Sequence, residues 1–208
     1  MIRIRLAHPI AWAVLCVALA TACVHSPSRE LRSASDVDRK FDNTSYIEEG
    51  DLVALIAGTR VAIARKNPDY IPIEVGIVNK GVPGLSLNRE SFTLVDQDGT
   101  SYPMLDGKEV GRKYNVDVDR RLMTLTPVVR GIFGGYVQVG ASLTTSFDNP
   151  IPRELYIQRH AWATELIYFP MPEGGAQGRI FELFMDAREL DDPVFVRFEI
   201  AGSKKGEE

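Results

Sequence analysis

Residues 70 to 102 read YIPIEVGIVNKGVPGLSLNRESFTLVDQDGTSY, and their pattern decides the fold class. Every second residue of the first part is apolar: Ile71, Ile73, Val75 and Ile77. This two-residue period predicts a β-strand with one face against a core. Phe92 and Leu94 repeat the period, and Asp98-Gly99 supplies a residue pair that tolerates the positive φ of a tight hairpin turn. The stretch therefore predicts an antiparallel β-meander.

More strands are predicted on both sides of this stretch. Val61 and Ile63 alternate with other residues and predict a strand at Arg60–Arg65. Four further strands are predicted at Leu155–Ile157, Glu165–Phe169, Ile180–Met185 and Val194–Ile200. Turn residues separate these segments. About seven short strands with turns between them favour a mostly β protein, built as an antiparallel sandwich.

The central stretch also resembles the immunoglobulin-like domains of uncharacterised secreted and lipid-anchored bacterial proteins. The shared pattern is an apolar strand ending in asparagine, a second strand with alternating phenylalanine, leucine and aspartate, a glycine turn and a tyrosine. The matching residues are Ile73, Val75, Ile77, Asn79, Phe92, Leu94, Asp96, Gly99 and Tyr102. The resemblance implies an immunoglobulin-like β-sandwich. It implies no particular activity, because that group has none in common.

Residues 105–147 fit the strand pattern least well. Gly107 to Asp119 is rich in charge and predicts a short helix, whereas Arg120 to Leu143 mixes apolar residues with several glycines. We therefore expect a partly helical insertion or long crossover that packs on the sandwich.

Length and charge limit the remaining possibilities. A chain of 208 residues holds one sizeable domain with appendages. We expect that domain at residues 47–201 and a solvated tail at 202–208. The formal net charge is −4 and no long basic run occurs, so the sequence predicts no nucleic-acid partner.

The N-terminus has the form of a secretory signal. Arg3 and Arg5 precede an apolar run that begins at Ile10 and ends in the small residues Thr21 and Ala22. The final residues, Leu19-Ala20-Thr21-Ala22-Cys23, resemble the lipobox of bacterial lipoproteins. That resemblance implies removal of residues 1–22, a diacylated sulfur on Cys23 and acylation of its new amino group. An ordinary cleaved signal or an uncleaved anchor remains the alternative.

The resemblance also implies a location. Several acyl chains on one residue give stable membrane anchoring, whereas one chain alone is marginal. Val24 follows the cysteine where an aspartate would retain the protein in the inner membrane under the enterobacterial sorting scheme. We therefore expect an outer-membrane lipoprotein, facing the periplasm or the cell surface. Residues 23–46 would then be the lipidated cysteine and a polar, flexible tether.

Residues suited to catalysis or metal binding are scarce. His160 is the single histidine of the expected domain, and that domain has no cysteine, so the usual zinc ligands cannot be assembled within one chain. The segment Gly84–Asn88 lacks the final glycine of a serine-hydrolase turn. Asp96–Gly99 begins like a calcium loop, but the later ligand positions fail and a hairpin turn is favoured. We expect no catalytic residue, metal or other cofactor.

One aromatic segment is a candidate binding site. Trp162 is the only tryptophan outside the signal, and Arg159 and His160 precede it. If exposed, this tryptophan could stack on a sugar or anchor a protein partner. A tryptophan in the core between the two sheets is the alternative.

Two functions follow as expectations. The first is a non-enzymatic interaction or scaffolding module that is held to the membrane by lipid and contacts another envelope protein. The second is a glycan- or small-ligand-binding lipoprotein that uses the Trp162 region. Hydrolysis by paired carboxylates stays a distant third, because such pairs are recognised by their separation in space.

Overall fold

The computed structural model describes residues 38–40, 42–65, 69–140, 143 and 154–202. The signal, Cys23 and the tether up to residue 37 lie outside the described residues. The strands are β1 (Arg39–Lys40), β2 (Ser45–Glu49), β3 (Val53–Gly58), β4 (Tyr70–Asn79), β5 (Gly84–Leu87), β6 (Phe92–Asp96), β7 (Ser101–Pro103), β8 (Val137–Gln138), β9 (Leu155–Gln158), β10 (Ala161–Pro170), β11 (Ile180–Met185) and β12 (Val194–Glu199). The α-helices are α1 (Arg60–Arg65), α2 (Gly107–Lys113), α3 (Val116–Leu122) and α4 (Leu125–Ile132), and Arg89–Ser91 forms a 3₁₀ turn.

The strands form three sheets. The larger sheet has the order β1-β2-β3-β4-β10-β8, in which only the short β8–β10 pairing is parallel. The smaller sheet has the order β12-β11-β6-β7 and is antiparallel throughout. β5 and β9 form an antiparallel pair of their own. The prediction of a mostly β protein with antiparallel sheets is confirmed.

One hydrophobic cluster joins the larger and the smaller sheet. It includes Ile73 and Ile77 of β4, Leu94 of β6, Leu183 of β11 and Phe198 of β12. The alternation in the sequence selects these side chains, because every second residue of a strand points to the same face. The late strands and the Asp98-Gly99 turn lie where they were predicted, with Gly99 at a φ of 81°.

The other face of the larger sheet is covered by helices. Leu125 and Val129 of α4 pack on Ile56 of β3 and Val78 of β4. Val110 of α2 joins a further cluster on β4 and β10. All ten residues of β4 are therefore buried, whereas the sequence predicted a strand with one face against a core.

Two glycines let α4 approach this sheet closely. A Cβ atom on Gly76 of β4 would lie 2.9 Å from Cγ2 of Val129. A Cβ atom on Gly58 of β3 would lie 3.0 Å from Cγ of Leu125. Contacts of 3.0 Å or less between carbon atoms are repulsive, so larger residues at these positions would force the helix away from the strands.

Two predictions near the start of the domain are wrong. Residues Arg60–Arg65 form the helix α1, whose backbone begins with a hydrogen bond from Ile63 N–H to Thr59 O. The tether was expected to extend to residue 46, but β1 pairs with β2, and Tyr46 is buried in the core. Two strands that were not predicted extend the sheet on this side: β3 pairs with β4, and β2 pairs with β3.

Pro72 lies where a proline is tolerated within β4. Proline cannot donate a hydrogen bond to a ladder, so within sheets it is found at edges and strand ends. The pairing between β3 and β4 ends at Gly58 and Glu74, so Pro72 lies beyond the last paired residue on that side. It pairs only with Tyr168 of β10 on the other side.

Candidate binding surface

The three predicted site residues differ in exposure: Trp162 is buried, whereas Arg159 and His160 lie at the surface. Trp162 is only 1% exposed and packs beneath α4, in the cluster on the outer face of the larger sheet. Arg159 and His160 are exposed in the turn between β9 and β10. The hypothesis of an exposed Trp162 is wrong, because α4 covers its ring. The tryptophan also lies outside the core that joins the two sheets.

The turn that carries Arg159 and His160 is fixed by its backbone. His160 has a φ of 57°, a left-handed conformation that histidine adopts more readily than most residues. Its N–H donates to Asn79 O at 2.8 Å, and its carbonyl accepts from Val137 N–H at 2.9 Å. The Tyr136 and His160 rings meet edge to face at 5.3 Å. The turn thus connects the end of β4 to β8.

Several segments near this same end of the larger sheet each carry an exposed apolar side chain. The exposed large hydrophobic residues among the described part of the chain are Leu52, Ile132, Val137 and Tyr156. Leu52 O accepts from Lys80 N–H directly after β4, and Val137 pairs with Ala161 at the start of β10. Ile132 ends α4 beside Phe133, which packs with Trp162. We call these four residues the apolar rim.

A cavity lies at the opposite end of the sheet. It has a volume of about 480 Å³ and is formed by the start of β4, α1 and the segment after β10. Tyr70, Pro72, Met171 and Ile200 are among its lining residues, and the lining residues that the structure describes are all uncharged. Its size falls in the range of small-molecule pockets.

A buried aspartate ties the helical layer to the sheet. Asp119 of α3 is fully buried, and its carboxylate accepts from the Tyr114 hydroxyl at 2.9 Å and from the Tyr168 hydroxyl at 3.1 Å. Arg65 Nε lies 2.7 Å from the Asp119 Oδ1 atom. Burial raises the pKa of Asp119, although these three partners oppose the shift. Both carboxylate oxygens are thus engaged in holding α1, α3 and β10 together.

A second buried carboxylate caps α4. Glu74 of β4 is fully buried, and its Oε2 atom accepts from the N–H groups of Thr124 and Leu125 at 2.7 and 2.8 Å. These groups lie at the N-terminus of the helix, where backbone donors have no partner within the helix. The Thr124 side chain makes no capping bond, so the sheet supplies the cap.

The Glu74 cap predicts a pH-dependent stability. Burial raises the pKa of Glu74 above its ordinary value of 4.5, and the two N–H donors and Arg60 offset the shift only in part. A raised pKa means that the folded state binds the proton of Glu74 more tightly than the unfolded state does. This proton binding stabilises the fold fully below pH 4.5, and the stabilisation is lost as the pH rises through the raised pKa. We expect Glu74→Gln, which does not ionise, to gain stability relative to the unsubstituted protein as the pH rises. Urea unfolding across that pH range measures the difference.

Glu90→Gln is the matched control, because the Glu90 side chain is largely exposed. Its unfolding free energy should change with pH in the same way as that of the unsubstituted protein. If the unfolding free energy of Glu74→Gln also followed the unsubstituted protein across the pH range, the role assigned to the buried Glu74 carboxylate would be contradicted.

The Asp96 turn is a hairpin turn, as predicted. Its carboxylate accepts from Asp98 N–H, Thr100 N–H and the Tyr102 hydroxyl. Burial alone would raise the pKa of Asp96, but these hydrogen bonds outweigh it and lower the pKa. The carboxylate therefore closes the turn between β6 and β7.

In the described part of the chain, no group of three or more histidine, cysteine, aspartate or glutamate side chains is placed to hold a metal ion. Within the same residues, no helix combines the length and the apolar character needed to cross a membrane.

Comparison with known proteins gives distant similarities. No family model and no curated protein matches the chain. The yjhA protein of Bacillus subtilis is 10% identical, with a TM-score of 0.39, over 74% of this chain and 96% of that one. A candidate lipoprotein of the same species, ycdA, is 12% identical, with a TM-score of 0.34. That match covers 78% of this chain and only 33% of ycdA.

Proposed function

We propose that the chain is a lipid-anchored protein of the bacterial envelope, whose β-rich body works as a non-enzymatic interaction or scaffolding module. The observation that carries the proposal is the sequence Leu19-Ala20-Thr21-Ala22-Cys23, which follows a basic and apolar leader. Val24 favours the outer membrane as the place of anchoring.

The fold supports the proposal in three ways. The larger sheet, which is antiparallel except for the short β8–β10 pairing, shares one core with the antiparallel smaller sheet, which agrees with an immunoglobulin-like sandwich. The apolar rim supplies exposed apolar side chains that contact with another molecule would bury. The carboxylates of Asp96 and Asp119 bond within the fold through both oxygens, so their burial needs no reactive role.

The proposal is tested by comparing the tagged protein with its Cys23→Ser variant in living cells. We expect the unsubstituted protein to incorporate radioactive palmitate and to crosslink to an envelope protein. The variant should lose the label and leave the membrane fraction, because its side chain cannot form the thioether. Unchanged labelling of the variant would refute the anchor. Recovery of no envelope protein after crosslinking and pull-down would refute the interaction role.

A further inference from the structure

One part of the apolar rim is also basic. It is formed by the last turn of α4, β8 and the turn between β9 and β10. Its exposed apolar residues are Ile132, 37% exposed, and Val137, 57% exposed. Its cations are the exposed Arg130 and Arg159. We call these four residues the basic face. We propose that the basic face rests on the anionic phospholipid headgroups of the membrane that carries the anchor.

Hydrogen bonds place the segments that carry the four residues next to one another. Arg130 Nη2 donates to Gln138 Oε1 at 3.0 Å, which holds the Arg130 side chain against β8. Val137 N–H donates to the carbonyl of His160, the residue after Arg159. Ile132 is the last residue of the helix that carries Arg130. The two cations and the two exposed apolar residues thus lie on three adjoining segments at one end of the larger sheet.

The charge of these segments differs from that of the whole protein. Residues 125–140 and 155–163 contain no aspartate or glutamate, although the chain has a net charge of −4. A surface that combines arginines with exposed apolar side chains suits the boundary between lipid headgroups and acyl chains. Each arginine near an anionic bilayer contributes electrostatic attraction that decays over a Debye length.

The length of chain between the anchor and the body favours lipid as the occupant. This step rests on the proposed anchoring at Cys23. Asp38, the first described residue, lies fifteen positions after Cys23, and fifteen residues reach at most about 50 Å. A domain of this size is about 40 Å across. The body is thus confined to the neighbourhood of the bilayer, where the high effective concentration makes even a weak contact populated.

Docking in this way would orient the body. The basic face lies at the end of the larger sheet where β4 ends and β10 begins. The cavity of about 480 Å³ lies at the other end, where β4 begins. The bilayer contact would therefore leave the cavity and its surroundings open to the aqueous compartment.

The test uses the full lipidated protein with a single reporter thiol. The sequence contains only Cys16, which belongs to the leader, and Cys23, which would be acylated, so Val137→Cys provides the one free thiol. The thiol is labelled with a fluorophore sensitive to polarity, and the protein is reconstituted into vesicles of phosphatidylethanolamine and phosphatidylglycerol that contain a spin-labelled lipid as quencher. Glu173→Cys, at an exposed position just after β10, is the matched control at the opposite end.

We expect the lipid quencher to reduce the emission of the label at position 137 and to leave the label at position 173 unaffected. Arg130→Gln and Arg159→Gln should each lower the ratio of docked to undocked protein by about fivefold. Vesicles of phosphatidylcholine alone should show weaker quenching.

The opposite results have distinct meanings. Absent or equal quenching at the two positions would overturn the docking of the basic face. Crosslinking of position 137 to a protein would overturn it too. In either case, an acylated Cys23 would leave the proposed function standing. Mass spectrometry of the same preparation separates the two failures, because an unmodified Cys23 would overturn both proposals.

Discussion

Replacement of Asp119 by alanine is expected to destabilise the fold by about 3 to 5 kcal/mol, because it removes one partner from a buried charged network. The substitution leaves the hydroxyl groups of Tyr114 and Tyr168 without their shared acceptor and leaves Arg65 without its carboxylate. The contact between α3 and β10 should loosen first. Urea unfolding followed by circular dichroism measures the loss.

The neighbouring Asp117 provides the control on the same helix. Its side chain is largely exposed and pairs with Arg120 at 3.5 Å. Exposed pairs of this kind contribute little, so Asp117→Ala should cost about 0.5 kcal/mol. An Asp119→Ala variant as stable as Asp117→Ala would show that the buried network does not hold the helical layer.

Trp162→Ala should have an effect of similar size, about 3 to 5 kcal/mol. The ring fills the space between α4 and the larger sheet, where Leu125, Val129 and Phe133 surround it. Its removal leaves a cavity that the glycine-lined contact of the helix with the sheet cannot close without moving the backbone. The unfolding free energy, measured by circular dichroism, should fall accordingly.

Tyr156→Ala is the control for this substitution, because Tyr156 is an aromatic residue that is 58% exposed. Its loss should change stability by about 0.5 kcal/mol. Trp162 fluorescence in the unsubstituted protein should also stay unchanged when cell-wall or polysaccharide fragments are added, because the ring does not reach the surface. A small loss of unfolding free energy for Trp162→Ala, or a change in Trp162 fluorescence on addition of a glycan, would contradict the buried position of the ring.

The sequence predicted the strands whose side chains alternate. β4, β6 and β12 keep a two-residue period because one face of each meets the core between the sheets. β3 escaped detection because its six residues, VALIAG, are all buried and show no alternation. A short continuous apolar run is the signal of a strand covered on both faces, and it was available in the sequence. α1 was missed because Val61 and Ile63, two residues apart, match the period of a strand, whereas the helix buries Val61 and Ala62.

The site was harder to predict because it depends on contacts between distant segments. Trp162 is buried by α4, which lies more than twenty residues earlier in the chain. The spacing of Leu125, Val129 and Phe133, four residues apart, was a helical signal that the glycines of the segment obscured. The basic face consists of residues from α4, β8 and the turn after β9. Because these segments are separated in the sequence, no local motif predicts the face.

Intact mass spectrometry of the protein purified from cell envelopes tests the central claim most directly. The account predicts a chain that begins at Cys23, with a diacylglyceryl group on its sulfur and an acyl chain on its amino group. A chain that retains the leader, or one that begins at or after Cys23 with the mass of the unmodified polypeptide, would contradict it.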